Sequence, residues 1–167
     1  MSEIQRMTAS DVLSQHWDGY LHVCPKKIAQ SMGVTLKEFD AAIQLDRNHV
    51  DHGLSGKFEF EGDTPVCYYN SSEPLLRQNF TIAHELGHYA LGHGKSFRDP
   101  VSNFSSRGNE FKEIQANDFA AQLLMPKSQV LGYIRERGIV DIGKLADIFK
   151  VSQVAMKYRL KNLGVLR

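Results

Sequence analysis

A change of hydrophobic period between residues 54 and 92 is the feature that most restricts how this chain can fold. From Lys57 to Glu61 polar and apolar residues alternate, Gly62-Asp63 supplies a turn, and a second apolar run covers Val66 to Tyr69. Such runs around a short turn are typical of a β-hairpin. The hairpin leads almost directly into residues 75–92, whose apolar spacing predicts a long helix.

The residues before the hairpin predict helices. Pro25 is a favourable first residue of a helix, and Gly33 is a favourable stop. Thr35 then predicts the start of a second helix, because Glu38 three residues later completes a capping-box pattern. The pair resembles a helix-turn-helix, but a plain packed helical hairpin is the favoured interpretation.

Inside the predicted long helix, residues 84–88 read His-Glu-Leu-Gly-His, the H-E-x-x-H pattern. Four helical residues turn through about 400°, so His84 and His88 lie roughly 40° apart on one face. Their neutral imidazole nitrogens can therefore bind one metal ion. Glu85 is adjacent to the first ligand, where it can act as a general base on a water at the metal. The pattern predicts a zinc-dependent protease.

The third ligand distinguishes the classes of zinc protease. A metzincin would have a further histidine at position 94, where Gly94 stands, and His93 misses that position by one residue. The alternative is a carboxylate from a later helix. Glu113 is the best candidate, because it begins the apolar helical stretch 113–125. Asn117 is on the same face as Glu113 and can orient a ligand.

Two blocks of sequence resemble the ImmA/IrrE family of metallopeptidases. They are Arg77–His93, which reads RQNFTIAHELGHYALGH, and Glu113–Pro126, which reads EIQANDFAAQLLMP. With the hairpin and the C-terminal helices, the resemblance covers residues 20–165. It implies an α+β fold with a reduced thermolysin-like (gluzincin) core, made of a small β-sheet and helices.

The resemblance also implies what individual residues do. His84, His88 and Glu113 would bind one Zn²⁺ ion, although such a site also accepts other divalent metals. Glu85 would be the catalytic residue of an endopeptidase. The implied protein substrate is a helix-turn-helix (Xre/Cro-like) transcriptional repressor, whose cleavage relieves repression in a mobile element or a stress response.

The sequence leaves the oxyanion donor of such an enzyme open. Tyr68, Tyr69, Tyr89 and His93 are the candidates, and nothing in the sequence chooses among them. For each of them a packing or surface role is the more common alternative.

Two further segments bear on substrate binding. Residues 66–70 are the predicted edge strand, to which an extended substrate segment can add as a further strand. The stretch Gly94–Lys112 is rich in Ser, Gly, Asn and Arg and predicts a long loop, which is a candidate lid over the active site.

The C-terminal part of the chain differs from the rest in charge. Residues 127–167 carry nine Lys and Arg against three Asp and Glu, whereas the whole chain has a net charge of only +1. We expect a metallopeptidase core, residues 1–126, and a basic C-terminal segment of three short helices, residues 127–167, packed on that core. Asp141–Phe149 and Ser152–Leu163 within this segment resemble a helix-turn-helix.

Lys157, Arg159 and Lys161 fall in the would-be recognition helix, where basic residues suit contacts to nucleic acid or to a protein partner. A scaffold or docking role is favoured over DNA binding. Two other functions therefore compete with the endopeptidase. One is a DNA-binding regulator whose metal site is mainly structural, and the other is a toxin-like partner that binds an intact repressor.

The sequence also predicts a compartment. The first residues lack the apolar core of a signal peptide, and no apolar run approaches membrane-spanning length. The cysteines are Cys24 and Cys67, too few for a disulfide scaffold, so we expect two free thiols in the reducing cytoplasm.

Overall fold

The structure, a computed structural model, describes residues 5–40, 55–94 and 106–167. Within these ranges helices surround one small sheet, so the predicted α+β class is confirmed. None of the described helices is both long and apolar enough to cross a bilayer. The elements in chain order are α1 (Ala9–His16), α2 (Pro25–Ser31), β1 (Thr35–Phe39), β2 (Gly56–Glu61), β3 (Thr64–Asn70), α3 (Leu75–Ala90), α4 (Ser106–Leu124), α5 (Lys127–Arg135), α6 (Ile142–Phe149) and α7 (Gln153–Asn162).

The sheet has the strand order β1-β3-β2. β2 and β3 form the predicted hairpin, in which Glu61 pairs with Thr64 across the turn. β1 lies on the other side of β3 and runs parallel to it, with Thr35 opposite Val66. β3 is therefore the central strand, and the prediction that residues 66–70 form an edge is wrong. Among the described residues, the edges of the sheet are β1 and β2.

The segment that begins at Thr35 is a strand and not the predicted second helix. Its capping-box pattern is present in the sequence, but the ladder that it forms with β3 outweighs this local preference. The Glu38 carboxylate, which a capping box would turn back to the helix start, instead accepts a hydrogen bond from the Tyr69 hydroxyl at 3.4 Å. A helical hairpin and a helix-turn-helix are therefore both excluded here.

α4 begins earlier than the sequence indicates. Residues 106–112, which we predicted as loop, form its first two turns, so Glu113 is the eighth residue of the helix rather than the first. The remainder of the candidate lid, residues 95–105, lies outside the described residues.

α3 is the central helix of the fold. It packs against β2 and β3 on one side and against α4 on another. Most of the buried apolar side chains form one hydrophobic cluster, which includes Ile82 and Leu86 from α3 and Leu123 from α4. Three short helices follow α4 as predicted, and the same cluster takes in Val130 from α5, Leu145, Ala146 and Phe149 from α6, and Met156 and Leu160 from α7.

Two glycines allow the elements around α3 to approach closely. A Cβ atom at Gly87 would lie 3.1 Å from the Cβ of Phe119, so this glycine sets how near α4 can come. A Cβ atom at Gly56 would lie 2.7 Å from the carbonyl oxygen of Tyr68 and would also clash with the methyl group of Thr81. The start of β2 can therefore reach α3 only without a side chain.

We predict that Gly56→Ala destabilises the protein by roughly 1–3 kcal/mol, because a backbone carbonyl and a buried threonine must both move. Gly132→Ala is the matched control, since a Cβ atom there meets nothing within 4 Å. In the middle of α5 that change should stabilise by about 0.5–1 kcal/mol. Urea unfolding of the three proteins measures both effects. Equal stability of the two variants would contradict the close approach of β2 to α3.

Candidate metal centre

Three side chains from α3 and α4 converge on one point. The Nε2 atoms of His84 and His88 lie 3.0 Å apart. Glu113 reaches across from α4, with one oxygen 3.0 Å from His84 Nε2 and the other 3.1 Å from His88 Nε2. Donor atoms at these separations fit around one ion whose bonds are about 2.0–2.2 Å long. Among the described residues, these three form the group of potential metal ligands.

Each histidine of this group is held through its other ring nitrogen. His84 Nδ1 lies 2.9 Å from the side-chain oxygen of Asn117. His88 Nδ1 lies 2.9 Å from His93 Nδ1, and His93 Nε2 lies 3.0 Å from the side-chain oxygen of Gln115. An oxygen acceptor requires the proton on the nitrogen that faces it. His84 therefore carries its proton on Nδ1, and the chain from Gln115 through His93 places that of His88 on Nδ1 as well.

The resulting tautomers leave both Nε2 lone pairs directed at Glu113, where a metal would bind. Burial, together with the nearby His84, His93 and Lys112, lowers the pKa of His88 to about 3. Burial also lowers the pKa of His93 from its usual value. The rings of His88 and His93 are thus neutral near pH 7, and for His88 this is the state that binds a metal. The imidazoles of His84 and His88 and the Glu113 carboxylate form a donor set that suits zinc.

Glu85 lies beside this group and not within it. It is one residue after His84 on α3, is 7% exposed, and lines the same cleft as the three ligands. On its other side it lies near Cys67 of the central strand. Burial, and then the charge of Glu85, raise the pKa of that thiol well above its usual value. A carboxylate in this position can accept a proton in the cleft while the ligand group remains intact.

The cleft is a groove of about 1210 Å³. Residues of β2 line one part of it, including Gly56, Phe58 and Phe60, and residues of α7 line another. The ligand group and Glu85 line the same groove. A groove of this volume can take a segment of peptide beside the ligand group.

The four residues that the sequence offered as oxyanion donors lie elsewhere. Tyr69 donates to Glu38, Tyr68 to Glu61, and the ring of Tyr89 packs 5.4 Å from that of Phe58. His93 contacts Nδ1 of His88, on the side of the ring away from Nε2. In the part of the chain that the structure describes, none of the four lines the cleft.

The structure brings into the cleft two residues whose place there the sequence analysis missed. Tyr158 and Arg159 of α7 both line the cleft. Tyr158 is 64% exposed, whereas Arg159 is 8% exposed. No signal in the sequence relates α7 to the H-E-x-x-H helix, because their proximity depends on how the C-terminal helices fold back on the core.

The basic residues of α7 do not form one surface. Lys157 and Lys161 are exposed, as a contact to phosphate or to a partner requires. Arg159 instead faces inward beside Met156 and Leu160, and its Nε–H donates to the carbonyl oxygen of Met125 at 3.0 Å. Arg159 is therefore not on the exposed face that carries Lys157 and Lys161, and its contact to nucleic acid or to a partner stays a prediction.

With this geometry in view, comparison with known proteins identifies the family. Residues 29–161 match Peptidase_M78, the IrrE N-terminal-like domain, and the chain belongs to this family. The resemblance predicted from the two motif blocks is thereby confirmed. Among curated proteins, the metallopeptidase ImmA of Bacillus subtilis (strain 168) is 30% identical over 113 residues, which is 66% of this chain. The match spans 64% of the length of that relative.

We predict that Zn²⁺ raises the thermal unfolding midpoint of the protein. An ion that binds only the folded state stabilises it by about 2.7 kcal/mol at a hundredfold excess over its Kd. His84→Ala and His88→Ala should each lose most of this shift. His22→Ala is the control, because His22 is exposed in the connection between α1 and α2. Equal shifts in all four proteins, measured by differential scanning fluorimetry, would exclude the ligand group.

We predict a smaller effect for the residues that hold the ligand rings. Asn117→Ala and His93→Ala should each lower zinc affinity about 10–100-fold, because each histidine loses the partner that fixes its tautomer. Competition with a chromophoric chelator measures the affinity. Gln122→Ala, an exposed position of the same helix as Asn117, should leave it unchanged. Unchanged affinity in the first two variants would show that the ring orientation does not depend on them.

Proposed function

We propose that this protein is a zinc-dependent endopeptidase. The observation that carries the proposal is the convergence of two imidazoles and one carboxylate in a peptide-sized cleft that also contains the Glu85 carboxylate. Membership of a peptidase family supports it, as does the similarity to a metallopeptidase. We assign His84, His88 and Glu113 as the zinc ligands and Glu85 as the catalytic residue.

The residues of the cleft divide the chemistry among them. His84, His88 and Glu113 would hold the zinc ion, which would supply a Lewis acid for the scissile carbonyl and make water more acidic. Glu85 accepts the proton of the attacking water and then passes it to the leaving amine. Asn117 and His93 keep the ligand rings in place through their hydrogen bonds. Tyr158 projects into the same cleft and is our candidate for contact with the developing oxyanion.

The outer edge of β2 is our candidate for the main-chain binding site. The N–H of Asn70 donates to the carbonyl oxygen of Ser55 at 2.8 Å, so Ser55 directs its carbonyl group at β3. In an antiparallel ladder the residues alternate, and Gly56, Phe58 and Phe60 therefore direct their backbone groups away from β3. All three line the cleft. A substrate segment in extended conformation can pair with them as a further strand.

For the substrate we propose a helix-turn-helix repressor, as the family resemblance implies, cleaved in the cytoplasm. We also propose that residues 1–126 form the peptidase core and that residues 127–167 supply one wall of its cleft. The latter assignment is supported by the positions of Val154 and Tyr158, which line the cleft and are 65% and 64% exposed.

DNA binding is the second candidate function, and one observation favours it. Lys157 and Lys161 are exposed on the second helix of a helix-turn-helix-like pair, in which Ser152 caps the second helix. Arg159 does not share the exposed face of Lys157 and Lys161, and it lines the cleft instead. Salt-dependent affinity for duplex DNA that weakens in Lys157→Ala would support this function, and no binding at low salt would exclude it.

We predict that Glu85→Gln keeps its zinc but cleaves its repressor substrate at least about a hundredfold more slowly, because the general base is lost. The measurement incubates the purified protein with helix-turn-helix repressors encoded beside it and follows new N-termini by mass spectrometry. Metal analysis and the unfolding midpoint confirm that the variant is loaded and folded.

Glu110→Gln is the matched control for that experiment. It makes the same chemical change at an exposed position of α4 and should cleave at the native rate. Cleavage by Glu85→Gln at the native rate would remove Glu85 from the mechanism. Repressors that bind tightly but stay intact with zinc present would favour the toxin-like partner over the peptidase.

A further inference from the structure

Arg159 is the one buried cation in the wall of the cleft among the residues that the structure describes. Its side chain is more than nine-tenths buried, yet the guanidinium group makes a single hydrogen bond, from Nε–H to the carbonyl oxygen of Met125. A guanidinium has five N–H donors. In the described part of the chain, four of these donors have no acceptor.

The free donors of Arg159 are accessible from the cleft. Arg159 lines the cleft, and its Nη atoms are not among the fully enclosed side-chain atoms that lack a partner. Burial lowers the pKa of the guanidinium and the charge of Asp118 only partly opposes this, but the two described side chains form no ion pair. Asp118 is exposed, so solvent screens most of its charge.

The surroundings of Arg159 favour an anionic ligand. Met125, Val151 and Ala155 line the cleft together with Arg159 and make its lining there largely apolar. Burial lowers the pKa of the guanidinium, although an arginine stays charged in proteins. A buried cation with one neutral acceptor is poorly compensated, and a carboxylate that binds in the bidentate geometry of the guanidinium restores the missing hydrogen bonds and charge.

We infer that Arg159 is a specificity-determining residue of the cleft and that it binds a carboxylate group of the substrate. The inference rests on the proposed function, because it takes the cleft to be the peptide-binding site. A carboxylate can come from an Asp or Glu side chain near the scissile bond or from a free C-terminus, and the experiment below separates the two. The hydrogen bond to Met125 positions the guanidinium by fixing its Nε–H.

The test measures binding and does not depend on cleavage. The full chain with Glu85→Gln is loaded with zinc and titrated into fluorescein-labelled decapeptide libraries, with fluorescence anisotropy as the readout. In each library one position is fixed as Glu or Gln, and each library is made with a free and with an amidated C-terminus. If Arg159 binds an acidic side chain, the library with Glu at one fixed position should bind at least about tenfold more tightly than the library with Gln there. A tenfold preference for the free C-terminus would identify the other source.

Two variants in the same background assign the preference to Arg159. Arg159→Gln keeps a donor for Met125 without the charge and should lose the tenfold preference. Arg159→Lys keeps the positive charge but cannot form the bidentate hydrogen bonds of a guanidinium, so it should retain only part of the tenfold preference. Lys157→Gln removes one positive charge from the exposed side of the same helix and should keep the full preference. Unfolding midpoints identify a variant that has lost its fold, in which case the remaining variant decides.

The outcomes separate this inference from the proposed function. Equal binding of the acidic and amide libraries, a preference that persists in the Arg159 variants, or no binding of any library at millimolar concentration would each overturn the role of Arg159. The remaining outcome is a preference that depends on Arg159 while the native zinc-loaded protein cleaves none of the bound peptides. This outcome would support the carboxylate-binding role of Arg159 and contradict the proposed peptidase activity.

Discussion

The close packing of α3 against α4 is the constraint on which the rest of the structure depends. The two histidines are on one helix and the carboxylate is on the other, so the ligand group exists only where the helix surfaces nearly touch. Gly87, between Glu85 and His88, leaves the space that Phe119 fills. The same approach brings Asn117 to His84 and Gln115 to His93. One interface therefore positions the ligands and also the residues that hold them.

The sequence predicted the parts of the fold whose causes are local. The hairpin, the H-E-x-x-H helix and the short C-terminal helices were predicted because hydrophobic period, turn residues and caps act over a few positions. The strand at Thr35 was missed because it is stabilised by pairing with a segment thirty residues away, which no local pattern encodes. The early start of α4 was missed because residues 106–112 are mostly polar and show no apolar stripe.

The features of the candidate site likewise differ in how far the sequence could predict them. The spacing of His84 and His88 follows from helix geometry, and the resemblance supplied Glu113. The orientation of the rings does not follow from spacing, because it depends on contacts between two helices. His93 illustrates this difference: the sequence left it as one of four candidate oxyanion donors, whereas its ring lies within hydrogen-bonding distance of His88 and Gln115. The burial of Arg159 was not predicted because the charge of a residue does not reveal which face of a helix is buried.

If a substrate pairs with the edge of β2, which is unpaired among the described residues, the proposed function has a consequence for a helical target. A strand partner must have its own backbone groups free, and a residue in a helix has none to offer. The target must therefore open locally before it can be held, and the cleaved fraction follows the free energy of that opening. Each 1.4 kcal/mol of local stability in the target slows its loss about tenfold. A signal could thus regulate proteolysis by loosening the target alone, with no change in the peptidase.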